Sequence, residues 1–139
     1  MRHIWDARVP MRDGVHLSAD IYLPDLTGAY PTVVIGTPYD NTMKSHVDMA
    51  AFFVSNNYAF IVYDVRGRYD SEGDFYPFFN EGPDGYDLIE WAAEQPWSNG
   101  KFGMMGGSYR GWIQWATAKE QPPHLTTIVP TATGGNWMK

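Results

Sequence analysis

The run Met104-Met105-Gly106-Gly107-Ser108-Tyr109-Arg110-Gly111 carries the sharpest chemical signal in the chain. A short apolar stretch meets two glycines and a serine, and a helix-like segment follows at once. That is the layout of a nucleophile elbow, a tight strand-to-helix turn that lifts a serine hydroxyl above the edge of a sheet. Small residues are needed because the turn is strained and the strand and helix backbones approach closely. A serine so placed also sits at a helix N-terminus, where the dipole and free N–H groups favour developing negative charge. The run is not a strict Gly-x-Ser-x-Gly, since Arg110 stands two positions after the serine and the glycine, Gly111, stands three after it. A serine N-cap after a glycine turn is the competing reading, and the strand–turn–helix context favours the nucleophile.

Thr37-Pro38-Tyr39-Asp40 follows an apolar run and is the second group of interest. Elbow hydrolases draw one oxyanion donor from the loop at this place. Pro38 has no N–H to give, whereas the Tyr39 hydroxyl is a donor with suitable reach; a packing tyrosine beside a proline turn is the alternative. The third group is Asp64-Val65-Arg66-Gly67-Arg68-Tyr69-Asp70-Ser71-Glu72-Gly73. Asp64 and Arg66 are expected to form a structural ion pair that shapes this loop. Asp70 and Glu72 could line a charged recess or hold a cation, although the spacing is not that of an EF-hand. His3, His16, His46 and His124 are scattered without metal-ligand spacing and are expected to be surface or packing residues. Trp91, Trp97, Trp112 and Trp115 are expected to pack between helices and sheet. Trp137 alone is placed as a candidate for a substrate pocket. No cofactor or metal site is expected.

The elements that must position these groups can be read from periodicity. Met11-Arg12-Asp13-Gly14-Val15 sets an Asp-Gly turn inside a hairpin over Val9–Leu23. In its second arm Val15, Leu17, Ala19, Ile21 and Leu23 alternate with polar residues, which predicts a half-buried strand. Pro31–Gly36, Tyr58–Tyr63, Lys101–Met105 and Leu125–Val129 are short apolar runs that predict buried strands. Between them, residues 44–56, a segment opening at Pro83, and Ser108–Lys119 have helical spacing. Pro83 suits a first helical turn, and Gly85, Leu88, Ile89 and Ala92 form an inner face. After the hairpin the order is β, α, β, α, β, α, β, which predicts an α/β fold: a mostly parallel sheet with helices on both faces. Function in such sheets gathers at the carboxyl ends of the strands.

Composition narrows the possibilities. The chain has 139 residues, 44% hydrophobic and 16% aromatic, too apolar for disorder and about the size of one domain. The formal net charge of −6 argues against nucleic acid and against anionic lipid as partners. With zero Cys there is no disulfide and no thiolate chemistry. No apolar run is long enough to span a membrane, and Asp6 follows the N-terminus too closely for a signal peptide. A cytoplasmic location is therefore expected. No Gly-x-Gly-x-x-Gly or P-loop opens a helix, which disfavours a nucleotide-binding domain. Charged residues are only 19%, and such a chain could hide part of its surface against a partner or further sequence.

Taken in order, Met11–Val15, Thr37–Asp40, Asp64–Arg68, Ser71-Glu72-Gly73, Asn80–Asp87, Gln95–Lys101 and Gly106–Tyr109 resemble the CocE/NonD hydrolases. Those hydrolases are relatives of X-prolyl dipeptidyl-peptidases, cocaine esterase and alpha-amino acid ester hydrolases. The resemblance covers nearly the whole chain. The family motif has glycine at the third position after the serine, as Gly111 is here. The resemblance implies an α/β-hydrolase fold, with Ser108 as nucleophile and an oxyanion hole made by the Tyr39 hydroxyl and the Tyr109 backbone N–H. It implies small-molecule ester, amide or short peptide substrates. Family members commonly have glycine immediately before Asp70, where this chain has Tyr69.

In this fold the triad acid and histidine follow the serine, and only His124, in a proline-rich turn, does so here. Residues 1–139 are therefore expected to be a partial catalytic domain. The cap, the rest of the sheet and a C-terminal β-sandwich would be absent, and the triad Asp and His would lie beyond Lys139. The expected function is that of an acyl-enzyme serine hydrolase, with the 139-residue chain inactive alone. The alternative is a catalytically inactive α/β scaffold or binding segment.

Overall fold

A computed structural model of the chain describes residues 1–133. The elements in chain order are β1 (Arg2–Pro10), β2 (His16–Leu23), β3 (Tyr30–Thr37), α1 (Lys44–Ser55), β4 (Ala59–Asp64), α2 (Glu81–Ala93), β5 (Ser98–Gly107), α3 (Tyr109–Lys119) and β6 (Leu125–Thr131). They build one sheet in the order β1-β2-β4-β3-β5-β6. β1 and β2 pair antiparallel, as do β2 and β4. β4, β3, β5 and β6 run parallel to one another.

The sheet is packed on both faces, because each buried strand offers apolar side chains alternately to either side. Leu17, Ala19, Ile21, Val34, Ile61 and Met104 pack on one face against Leu88, Ile89 and Ala92 of α2 and Trp112, Ile113 and Ala116 of α3. Tyr22, Ile35, Phe60 and Val62 pack on the other face against Ala50 and Val54 of α1. The two helices on the first face approach closely through Gly85, where an added Cβ would lie 2.0 Å from the Thr117 hydroxyl oxygen. This is the α/β architecture that the strand–helix alternation predicts.

The Asp-Gly hairpin forms as expected. Gly14 takes φ +88°, and the Met11 N–H donates to the Val15 carbonyl at 2.8 Å. β1 runs back to Arg2, further than the sequence pattern suggests, with a register shift between Ile4 and Ala7. His3 stacks on Tyr22 with ring centroids 3.9 Å apart, which holds this outer end in place.

The half-buried reading of the second hairpin arm needs correction, because Leu17 to Leu23 are all buried. Its polar face is covered by parts of the chain distant in sequence. The Ser18 N–H donates to the Ser71 hydroxyl at 2.8 Å, the Asp6 N–H donates to the Asp20 carboxylate at 2.9 Å, and Tyr22 joins the cluster under α1. Alternation along one strand records which residues are apolar, not whether a second layer covers the polar ones.

Candidate active site

β3, β4, β5 and β6 end side by side, and the loops that leave them form one edge of the molecule. Ser108 stands there, exposed, between the end of β5 and the start of α3. Its backbone takes φ +57° and ψ −124°. A non-glycine residue in that region costs about 1–3 kcal/mol and persists only where surrounding contacts impose it. Here the Ser108 N–H donates to the Thr131 carbonyl at 3.0 Å, while the Ser108 carbonyl accepts the Gly111 and Trp112 N–H groups at 2.9 and 3.1 Å. The turn is thus tied to β6 on one side and to its own helix on the other.

The glycines around Ser108 have steric reasons. A Cβ on Gly106, at φ +138°, would fall 2.6 Å from the Arg110 Cβ. A Cβ on Gly111 would fall 2.8 Å from the Thr133 Cγ2 and 3.3 Å from the Gly106 carbonyl oxygen. The requirement for glycine three residues after the serine therefore comes from α3 crossing the ends of β5 and β6 at close range.

Ser108 opens onto a recess of about 140 Å³ lined by Tyr39, Phe78, Ser108, Tyr109, Trp112, Ala132 and Thr133. The structure so brings together the three residues on which the sequence placed the chemistry. Tyr39 comes from the loop after β3, with its N–H donating to Thr37 Oγ1 at 2.9 Å and its ring half-exposed. As the first residue of α3, Tyr109 presents a backbone N–H that has no acceptor within the helix. Its side chain anchors it. The Tyr109 hydroxyl donates to the buried Glu81 carboxylate and accepts the Phe78 N–H at 3.0 Å, and the ring stacks on Phe78 at 4.8 Å. Burial pushes the Glu81 carboxyl above its ordinary range, with the Tyr109 hydroxyl opposing that rise.

The loop that carries Tyr39 is held from beneath by Asp64, which is buried at the end of β4. The Asp64 carboxylate accepts the Asn41 N–H at 2.9 Å and, more weakly, the Asp70 N–H at 3.4 Å. Its carbonyl accepts the Ser71 hydroxyl at 2.6 Å. Burial pushes the Asp64 carboxyl up to about 6, against the pull of those two N–H donors, with Asp40 and Asp70 adding to the rise. Between the ordinary aspartate pKa of ~3.9 and about 6 the folded chain keeps a proton here that the unfolded chain releases. This group therefore makes stability fall as pH rises through that window, and above it the loss is complete. Replacing Asp64 by Asn should remove the effect. In urea titrations from pH 4 to 7, wild type should lose about 2 kcal/mol relative to the Asn variant, the size a shift of this order implies. Parallel curves would show that Asp64 does not titrate in this range.

Arg66 does not pair with Asp64. It forks onto Asp84 of α2 at 2.9 and 2.8 Å and reaches Asp13 of the hairpin at 2.7 Å. The Asp64 oxygens are taken by backbone donors, so the arginine is free to tie its loop to α2 and the hairpin. Glu72 and Asp70 do not frame a recess. The Glu72 carboxylate accepts the His16 N–H at 2.8 Å, and the Asp70 carbonyl accepts from Arg8 at 2.5 Å. Among the described residues no group of three His, Cys, Asp or Glu could hold a metal ion. Tyr69 takes φ +49°, a conformation for which glycine is the usual residue.

Of the tryptophans, Trp97 and Trp112 are buried, while Trp115 is exposed. Trp112 also lines the recess, a role the sequence reading reserved for Trp137; Trp137 lies outside the described residues. The signal for Trp112 was available, since a residue four positions after Ser108 lies one helical turn on, along the same face. His124 pairs with Glu90 at 2.8 Å before the start of β6, at the opposite end of that strand from the recess. His46 is fully buried, and its partner Arg110 was not singled out from the sequence. No described helix is long and apolar enough to cross a membrane.

Residues 13–139 match the family described as X-Pro dipeptidyl-peptidase (S15 family). Over 127 residues the chain is 38% identical to a cocaine esterase from Rhodococcus sp. (strain MB1 Bresler), covering 88% of this chain and 22% of that protein. It superposes on a CocE/NonD family hydrolase from Staphylococcus aureus with a TM-score of 0.82 and 32% identity, over 91% of this chain and 26% of that one. An alpha-amino acid ester hydrolase gives a TM-score of 0.81 at 31% identity, over 93% and 25% of the two chains. An α/β hydrolase from Penicillium sp. sh18 shares the fold at 18% identity, with a TM-score of 0.80 over 94% of this chain and 45% of that one. The chain thus spans under a quarter of the length of the curated relatives it matches.

Proposed function

This chain belongs to the X-Pro dipeptidyl-peptidase (S15) family, and we propose that the whole protein is a serine hydrolase that cleaves ester or amide bonds through an acyl-enzyme. The observation that carries the proposal is the strained elbow at Ser108, open to the same recess as Tyr39 and Tyr109.

In this reading the Ser108 oxygen attacks the substrate carbonyl carbon and its proton passes to a histidine base. No histidine lines the recess among the described residues, and in this reading the base reaches Ser108 from outside that lining. The carbonyl oxygen becomes an oxyanion that accepts from the Tyr39 hydroxyl and the Tyr109 N–H. Collapse of the tetrahedral intermediate breaks the bond to the leaving group, which departs as alcohol or amine with the proton held by the base. Water then repeats the sequence on the acyl-enzyme and frees Ser108.

The recess favours an acyl group with an apolar body, because Phe78 and Trp112 pack edge to face at 4.8 Å along its wall. Ester cleavage is the first expectation, since the curated relative at 38% identity is an esterase. The test uses the whole protein with three substrates: a p-nitrophenyl ester, an amino-acid ester and an Xaa-Pro p-nitroanilide. Ester turnover that stops after fluorophosphonate treatment is expected. Turnover of the anilide alone would move the assignment to an X-Pro peptidase. A protein that neither turns over any of the three nor takes the label would be an inactive scaffold.

A further inference from the structure

Arg110 follows Ser108 by two positions, and no step above uses it. Its side chain turns back across the elbow into the space between α3, α1 and the loop after β3. Nε faces the Gly107 carbonyl at 3.4 Å, and Nη1 lies 3.1 Å from the Nε2 of His46. The guanidinium carbon stands over the Tyr39 ring, 5.7 Å from its centroid. Three elements therefore meet at one cation: the end of β5 just before the serine, the first turn of α1, and the loop that presents Tyr39.

The partner on α1 is suited to this use. Arginine can only donate, so His46 must be neutral and offer a lone pair at Nε2. Burial and the adjacent guanidinium both push the His46 imidazole below its ordinary value, which keeps that lone pair free. Tyr39 needs the support. Its backbone N–H is held by Thr37, but the residue is 41% exposed, and no hydrogen bond to its hydroxyl occurs among the described residues. A cation over the ring face attracts it through the aromatic quadrupole and restricts where it can point.

We infer that Arg110 is a positioning residue, which His46 and the Gly107 carbonyl hold in place so that its guanidinium fixes the Tyr39 ring beside Ser108. The inference rests on the reading of Tyr39 as an oxyanion donor. A planar, forked guanidinium satisfies the two acceptors and still offers a face to the ring. A lysine ammonium is a single point of charge and cannot do all three.

The test is a double-mutant cycle in the whole protein. Arg110→Met should lower kcat for an ester about tenfold with KM within about twofold, because a misplaced donor weakens the transition state and not ground-state binding. Arg110→Lys should recover little of the loss. In a Tyr39→Phe background the same Arg110→Met change should cost less than about twofold, since the hydroxyl it positions is gone. An equal loss in both backgrounds, or an unchanged kcat, overturns the role of Arg110 while leaving Tyr39 as a donor. A Tyr39→Phe variant with full kcat overturns both. Should Arg110→Met not fold, His46 supplies the second route. His46→Leu should reproduce the tenfold loss, and His46→Gln, whose side-chain oxygen can still accept from Nη1, should stay within about threefold of wild type. If Leu and Gln behave alike, the contact does not position Tyr39.

Discussion

Replacing Ser108 by Ala in the whole protein should end covalent labelling by a fluorophosphonate and lower kcat by about 10⁶, the scale seen when a triad serine is removed. The fold should be left intact. Ser108 is exposed and its hydroxyl makes no hydrogen bond among the described residues, so nothing structural depends on that oxygen. The strain at φ +57° is a property of the backbone and of any Cβ, and alanine bears it as serine does. The melting temperature of the variant should therefore match wild type within a few degrees. The turn at Gly106-Gly107-Ser108 would be only structural if labelling persisted at full strength in the alanine variant.

Removing the Tyr39 hydroxyl should have the next largest effect. Tyr39→Phe keeps the ring, so the face that meets Arg110 at 5.7 Å is preserved and packing changes little. In the proposed mechanism, what is lost is one donor to the developing oxyanion. Loss of such a donor costs about 10²–10³ in kcat, or roughly 3–4 kcal/mol. KM should move far less, because the interaction strengthens as negative charge develops and is weak in the ground state. The preceding residue is the reason the proposal gives this part to a side chain. Pro38 has no N–H, and its carbonyl already accepts from Arg68 at 3.1 Å. A fall in kcat below about threefold would assign Tyr39 to packing, and the second donor would have to be sought elsewhere along the recess.

The elbow was legible because its demands are local. A strand that turns directly into a helix needs small residues before the serine, and Gly106-Gly107-Ser108 is visible as such without any partner. The Asp-Gly hairpin, the helix opening near Pro83 and the alternation of strands and helices are local in the same sense. Each is set by sterics or hydrogen bonds within a few neighbouring residues. From these, the parallel sheet and the edge on which chemistry gathers followed. The role proposed for Tyr39 was half-legible: proline at 38 removed one candidate, but only the resemblance to a family raised Tyr39 above a packing residue.

Tertiary structure decided the partners. Arg66 stands two residues from Asp64 in sequence, yet its carboxylates come from Asp84, 18 residues away, and Asp13, 53 residues away. His46 and Arg110 are 64 residues apart and meet only because α1 and α3 converge on one end of the sheet. Ser18, Asp20 and Tyr22 follow the pattern of a solvated strand face and are buried, because Asp6, Ser71 and α1 cover them. A single chain records its apolar periodicity and its turns, since both arise between near neighbours. Which surfaces close over a polar face, and which carboxylate an arginine finds, depends on the order in which strands join the sheet, and pairing between distant segments sets that order.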